Sequence, residues 1–227
     1  MAKSSTWSND LLKLLFTNVS APNIGDASGL QPSAGAGSLY IGLATADPTG
    51  GDQTTSEAGY TGYARVAVAR SGAGWTVTGA TVTNAAVIAF PLCSGGSSTV
   101  AYWTVGTASS GAGVLLYSYP LTATVYACTG TTSGNVVFAP GHNFIVNDTI
   151  VFSAIGAESL PGGISAGTIY YVKTVSGDSI TISTSLGGAT LTISADGVAF
   201  VGKIATLAVS LNIAPAFGAG AMSITES

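Results

Sequence analysis

Charge is what this sequence has least of. Only 7% of its 227 residues are Asp, Glu, Lys or Arg, against about 25% in an ordinary soluble domain, and the 77 positions from Ser71 to Asn147 contain none. A free monomer usually keeps itself soluble with charges of both signs over its surface. A chain this poor in them is expected to be covered on some face by a partner or by copies of itself, while Ser, Thr, Asn and Gly solvate other faces. Six basic residues and a net charge of −4 cannot neutralise a phosphate backbone over a sizeable footprint, which argues against a nucleic-acid partner. Long apolar runs are missing too. Gly, Ser and Thr break every stretch well short of the roughly 18 residues a membrane helix needs. The amino-terminal MAKSSTWSNDLLKLLF is interrupted by Lys13 and followed by no small-residue cleavage site, so neither a signal peptide nor a membrane anchor is expected.

Catalytic groups are equally scarce. Cys93 and Cys128 are too few for a disulfide framework and too far apart for a chelating pair; they read as small buried fillers, bridged only if their strands are neighbours. His142, the only histidine, sits in PGHNF, and no G-x-S-x-G presents a nucleophile to it. It is expected to bond backbone in a turn. Asp47, Asp52 and Glu57 lie in DPTGGDQTTSE, where carboxylates could face Ca²⁺, but the spacing is not that of an EF-hand, and Asp-Pro and Gly-Gly are turn chemistry. No carboxylate pair is set for glycoside hydrolysis. The Gly-Ala-Gly stretches at 35, 111 and 218 lack the surroundings of a dinucleotide site and read as turns. No catalytic residue, metal site or cofactor is expected, and the chain reads as a non-enzyme.

What is present is strand. SLYIGLAT, YARVAVAR, WTVTGATVT, AVIAFP, VAYWTV, VLLYSYPL, ATLAVSLNI and AMSIT are short runs of β-branched and aromatic residues bounded by Gly, Pro, Asn and Ser. The fold class is mostly β: an antiparallel sandwich or jelly-roll-like domain. One helix is expected over about residues 6–17. Trp7, Leu11, Leu14 and Leu15 share a face, Leu12 and Phe16 make the other side apolar, and Ser5 or Ser8 supplies the cap. About a dozen residues is marginal for an isolated helix, so it should be buried on both sides, by its own domain or by a neighbouring subunit. Tyr60, Tyr63, Trp75, Tyr102, Trp103, Tyr117 and Tyr119 fit a core or a protein interface, with a sugar-stacking platform as the alternative. Arg65 and Arg70, the only arginines, lie in a charge-poor region. Each is expected to meet a carboxylate within the chain or across an interface.

SLYIGLATADPTG, GYTGYARVAVARSGAGWTV, AVIAFPLCSG, VAYWTVGTASSGAGVLLYSYPL and IAPAFGAGAMSIT, in this order and spacing, resemble a family of small phage virion proteins labelled tail fibre proteins. The resemblance covers roughly residues 39–125 and 204–225. The intervening VFAPGHNFIVNDTIVFS, LPGGISAGTIYYVKTV, SGDSITIST and LTISADGVAFVG resemble a small all-β unit inserted in phage structural proteins. Charge returns there with Asp148, Glu158, Lys173, Asp178 and Asp196, and turn signals come closer together. The expected organisation is a discontinuous β domain, 1–125 and 203–227, with an inserted all-β domain, 126–202. The insertion's ends should lie side by side.

The resemblance implies a structural virion protein, assembled in the host bacterial cytoplasm. It would be a multicopy capsid decoration (cement) protein or a tail or tail-fibre component that packs on other virion proteins, major capsid or tail. A homo-oligomer is expected, a trimer being the natural arrangement at a particle surface although no residue specifies the symmetry. The candidate interface residues are Trp7, Leu11, Leu14, Leu15, Phe16, Arg65 and Arg70. The alternative is a receptor-binding adhesin whose insertion binds host-surface carbohydrate.

Overall fold

The computed structural model describes residues 3–155 and 158–226. It is mostly β with one short amino-terminal helix, and the strand pairings whose register is described are antiparallel. The chain divides into two compact units: residues 1–118 with 207–227, and residues 119–206.

In the first unit the helix Ser5–Thr17 begins at Ser4, whose hydroxyl oxygen accepts the Trp7 N–H at 3.2 Å. The cap is therefore neither Ser5 nor Ser8. Ser8 is 1% exposed and lies on the same stripe as the fully buried Leu12 and Phe16, four residues apart along one side of the helix. The helix stops at Asn18, in the left-handed region at φ 56°, where the Asn18 and Val19 N–H groups both turn back to the Lys13 carbonyl. Thirteen residues would not hold a helix in water. Burying Leu12 and Phe16, about 1.5–3 kcal/mol each, keeps it in place. Phe16 stands edge-on to Trp75 with centroids 4.7 Å apart.

The strands of this unit form a four-stranded sheet and three smaller ones. The larger sheet runs Val66–Ala69, Ser38–Ala44, Tyr102–Gly106, Leu115–Pro120. Its two central strands are covered on both faces: all five residues of Tyr102–Gly106 are buried, as are Leu39, Ile41 and Leu43. Gly42 is required between them, because a Cβ there would come within 2.5 Å of the Thr104 hydroxyl oxygen on the paired strand. The carboxy-terminal segment then returns to complete the small sheets. Leu207–Val209 pairs Ser98–Val100, Ala216–Phe217 pairs Ile88–Ala89, and Ser223–Thr225 joins Trp75–Thr78 and Thr81–Asn84. Asn84, 1% exposed, pins this return. Its side-chain amide donates to Ala86 and Gly218 carbonyls and its Oδ1 accepts the Met222 N–H.

The second unit is a closed six-stranded barrel. Around it run Val136–Phe138, Ser179–Ser183, Ile169–Ser176, Thr149–Ser153, Gly197–Ile204 and Thr122–Thr131. One core, including Phe144, Phe152, Tyr170, Ile180 and Ile182, fills it. Thr122–Thr131 and Gly197–Ile204 carry the chain in and out beside each other, with Thr122 opposite Ile204 and Val125 opposite Gly202. Gly130 and Gly197 face one another across that pair, and Pro161 packs where their side chains would be: a Cβ on either would approach Pro161 within 2.6 Å. Asp148, 8% exposed, closes a turn by accepting the Ile145 N–H and pairs with Lys203 at 2.5 Å.

Candidate interaction surface

The two arginines meet different fates. Arg65 holds Glu57 with both arms, Nε to Oε1 at 2.6 Å and Nη2 to Oε2 at 2.8 Å, the bidentate geometry that fits guanidinium to carboxylate. Two further donors reach the carbonyls of Ala108 at 3.0 Å and Gln53 at 2.9 Å. Its side chain is 2% exposed. Gln53, also buried, completes the arrangement by accepting the Thr107 and Ala108 N–H groups at 2.9 and 2.8 Å. The glycines at 106 and 113 leave it room, since a Cβ on either would fall within 2.2 Å of its side chain. Arg65 thus ties the acidic loop to the turn after Tyr102–Gly106 and is enclosed within its own unit.

Arg70 finds no carboxylate among its hydrogen-bond partners. It donates to the Leu15 carbonyl at 2.6 Å, to Leu14 at 2.7 Å, to Ala36 at 3.1 Å and to the Ser33 hydroxyl at 3.2 Å. The last carbonyls of a helix have no partner within it and carry its partial negative charge. That terminus replaces the carboxylate expected for Arg70.

The helix residues divide by face. Phe16 is enclosed in its own unit and offers no surface. Trp7, Leu11, Leu14 and Leu15 lie on the flank of the buried stripe and are each half-buried.

The outer faces of two small sheets carry opposite chemistry. On the three-stranded sheet, Trp75, Val82 and Ile224 point inward, and the outward positions are Thr76, Thr83 and Ser223 in one row and Thr78, Thr81 and Thr225 in the next. This is the polar-out pattern of a solvated sheet. On the pair Ile88–Ala89 with Ala216–Phe217 the inward residues are Ile88, Phe90, Pro215 and Phe217. The outward positions, all exposed, are Val87, Ala89, Pro91, Ala214 and Ala216. The pairing continues past the strands, with the Phe90 N–H donating to Pro215 and the Cys93 N–H to Ile213. Beyond the paired strands Leu92, Leu211 and Ile213 are exposed as well, 51%, 59% and 38%.

A family model described as podophage GP4 fiber I protein gp80 matches residues 2–142, more than half of the chain. The chain belongs to this podophage fibre protein family. No curated protein matches it. The matched stretch of the fibre protein takes in the helix, both arginines and most of the charge-free run.

The remaining candidates of this fibre protein serve its architecture. Asp47 accepts the N–H and hydroxyl of Thr49 at 3.0 and 2.7 Å, and Asp52 those of Thr54 at 2.8 and 2.6 Å. Those two Thr54 bonds hold the Asp52 carboxyl below its usual range. His142 accepts the Phe144 N–H on Nδ1 at 3.0 Å and stacks on the Phe144 ring, which makes it a turn residue. Both cysteines are free and buried, and burial pushes the Cys128 thiol up to about 12, far from a reactive thiolate. Of the aromatics, Tyr60, Trp75, Tyr102 and Trp103 are buried, and Tyr63, Tyr117 and Tyr119 half-buried. Tyr63 lies under Phe90, with its phenol oxygen accepting the Leu43 N–H. The four buried rings fill a core. Sequence reasoning passed over Gln53, Asn84 and the apolar outer strip at Val87–Pro91. The signal for the strip was legible: AVIAFPLC has no polar residue at either phase of the alternation.

Proposed function

We propose that this fibre protein is a non-enzymatic building block of the virion, present in many copies and held by protein–protein packing through its helix-bearing unit. It is assembled with other virion proteins in the host bacterial cytoplasm, and the barrel is its projecting part. The observation that carries this reading is the apolar outer strip of Val87, Ala89, Pro91, Ala214 and Ala216. A lone soluble sheet puts polar residues at such positions, as the Thr rows of the same unit do. The barrel supports the division of roles, because closure leaves no strand edge that needs a partner.

Quantitative mass spectrometry of purified particles tests the proposal. The chain is expected among the virion proteins in many copies per particle, and its absence from intact particles would sink the idea. Binding of the full chain to host-envelope glycans would instead favour a receptor-binding role for the barrel.

A further inference from the structure

We infer that the outer face of the barrel carries a carbohydrate site, with Phe138 and Phe200 as its stacking rings and a neutral polysaccharide chain as its ligand. The inference concerns the barrel alone and leaves the packing of the first unit as proposed. Ser153, Ser179 and Phe200, which belong to the site, lie past the residues matched by the family model.

Strand register puts both rings on one face. Residues directly opposite each other in antiparallel strands point to the same side of the sheet. Phe138 stands opposite Ser179 on one neighbouring strand and Thr129 on the other, and Val198 is opposite Thr129 on the strand beyond. The adjacent row runs Ala127, Phe200, Ser153. Ala127 and Thr129 are two residues apart on their strand, as are Val198 and Phe200, so the rows share a face. The residues that alternate with them, Cys128, Val137, Phe152, Ile180 and Ala199, belong to the barrel core. The face is therefore the outer one, and on it Phe138 is 44% and Phe200 38% exposed.

Its chemistry is that of a sugar platform. A phenyl ring presents an electron-rich flat face, on which the C–H side of a pyranose rests, and neighbouring hydroxyls both donate to and accept from the sugar's own. Ser179 and Thr129 bracket Phe138, and Ser153 adjoins Phe200. The ring positions are two strands and two residues apart, about 12 Å between Cα atoms at standard sheet spacings. They would meet successive sugars of a chain. The two outer faces of the first unit each lack one half of this combination: the Thr rows have hydroxyls without rings, and the strip at Val87–Pro91 has apolar groups without hydroxyls.

Charge selects the class of polymer. Neither row contains a charged residue. Lys203, beyond Phe200, is paired with Asp148. The carboxylates of Asp178 and Asp196, next in sequence to Ser179 and Gly197, each hold a turn, Asp178 by accepting the Gly141 N–H at 3.0 Å and Asp196 the Thr132 N–H at 2.7 Å. Negative charge at this border disfavours an acidic polysaccharide and admits a neutral one.

Calorimetric titration of the full chain with lipid-free surface polysaccharide from the host bacterium tests this. Wild type is expected to bind, and to keep its affinity in about 0.5 M salt, because stacking is not screened as charge attraction is. Phe138→Ala/Phe200→Ala should bind about tenfold weaker or worse, with melting close to wild type since both rings are on the outer face. Thr129→Lys, which sets a long charged side chain between the rings, should lose binding likewise. Phe138→Tyr/Phe200→Tyr keeps both rings and should bind as wild type. A wild type that does not bind, binding abolished by salt, alanine or lysine variants that bind as wild type, or a tyrosine variant that does not would each overturn the inference. A chain found in particles yet indifferent to the polysaccharide would remove the sugar site and leave the packing role standing. A chain that binds but is missing from particles would do the reverse.

Discussion

The barrel of residues 119–206 and the rest of the chain are both antiparallel β, yet they treat strand edges in opposite ways. The barrel pairs all six of its strands in a ring around one core and carries its charges on turns, in the Asp148–Lys203 pair and at Lys173 within a strand. The first unit spreads its strands over four sheets, leaves Val66–Ala69 as an edge and turns an apolar strip outward. Closure satisfies backbone groups within the unit. Open edges with apolar outer faces do not, and the proposed packing role assigns them to a neighbour.

Core truncation should break this comparison most visibly. Phe152→Ala empties a fully buried site in the barrel and Trp75→Ala one in the first unit; each is expected to cost about 3–5 kcal/mol. All three tryptophans, Trp7, Trp75 and Trp103, lie in the first unit, so tryptophan emission in a urea titration reports on that unit and far-ultraviolet dichroism on both. Phe152→Ala should shift the dichroism transition and leave the emission midpoint in place. A common shift in both signals would mean that the units unfold as one.

The arginines sharpen the comparison within the first unit. Arg65→Ala leaves Glu57 uncompensated and two carbonyls without donors, for an expected loss of about 3 kcal/mol. Arg70→Ala frees helix carbonyls that water can reach, and should cost about 1–2 kcal/mol. Emission-monitored urea midpoints check both, and equal losses would contradict the distinction between a buried ion pair and a helix-end contact.

The smallest effect concerns the terminal contact of the same unit. Burial pushes the Glu226 carboxyl up, but the Lys3 ammonium and the Tyr117 hydroxyl, which bonds it at 2.6 Å, outweigh burial and hold it below its ordinary value of 4.5. A carboxyl with a lowered folded-state pKa adds stability at pH above its unfolded value and loses it as pH falls through the folded one. The emission midpoint should therefore decline below about pH 4.5, by less in Glu226→Gln than in wild type. The barrel's share of the dichroism transition should not follow this difference.

Much of this was legible beforehand, and the gaps have physical causes. Short alternating runs bounded by turn residues announced β structure, and the Leu-rich stretch after Ser4 announced a helix. Which helix side faces inward was hidden, because apolar residues occur nearly all round and the buried stripe begins at a serine, Ser8. Arg70 was expected at a carboxylate because a count of charged residues omits the partial charge of a helix end. Barrel closure left no local trace, since each strand has the same alternation in an open sheet as in a ring. The Gln53 and Asn84 contacts join positions up to 138 residues apart, beyond any local pattern.

The central claim is that the first unit is completed by a neighbour at its apolar outer strip. A map of the intact fibre at side-chain resolution tests it most directly. The account predicts Val87, Ala89 and Pro91 buried against a neighbouring virion protein chain, with the Thr rows in solvent. The strip lying open to solvent, with the Thr rows or the barrel making the contacts instead, would contradict it.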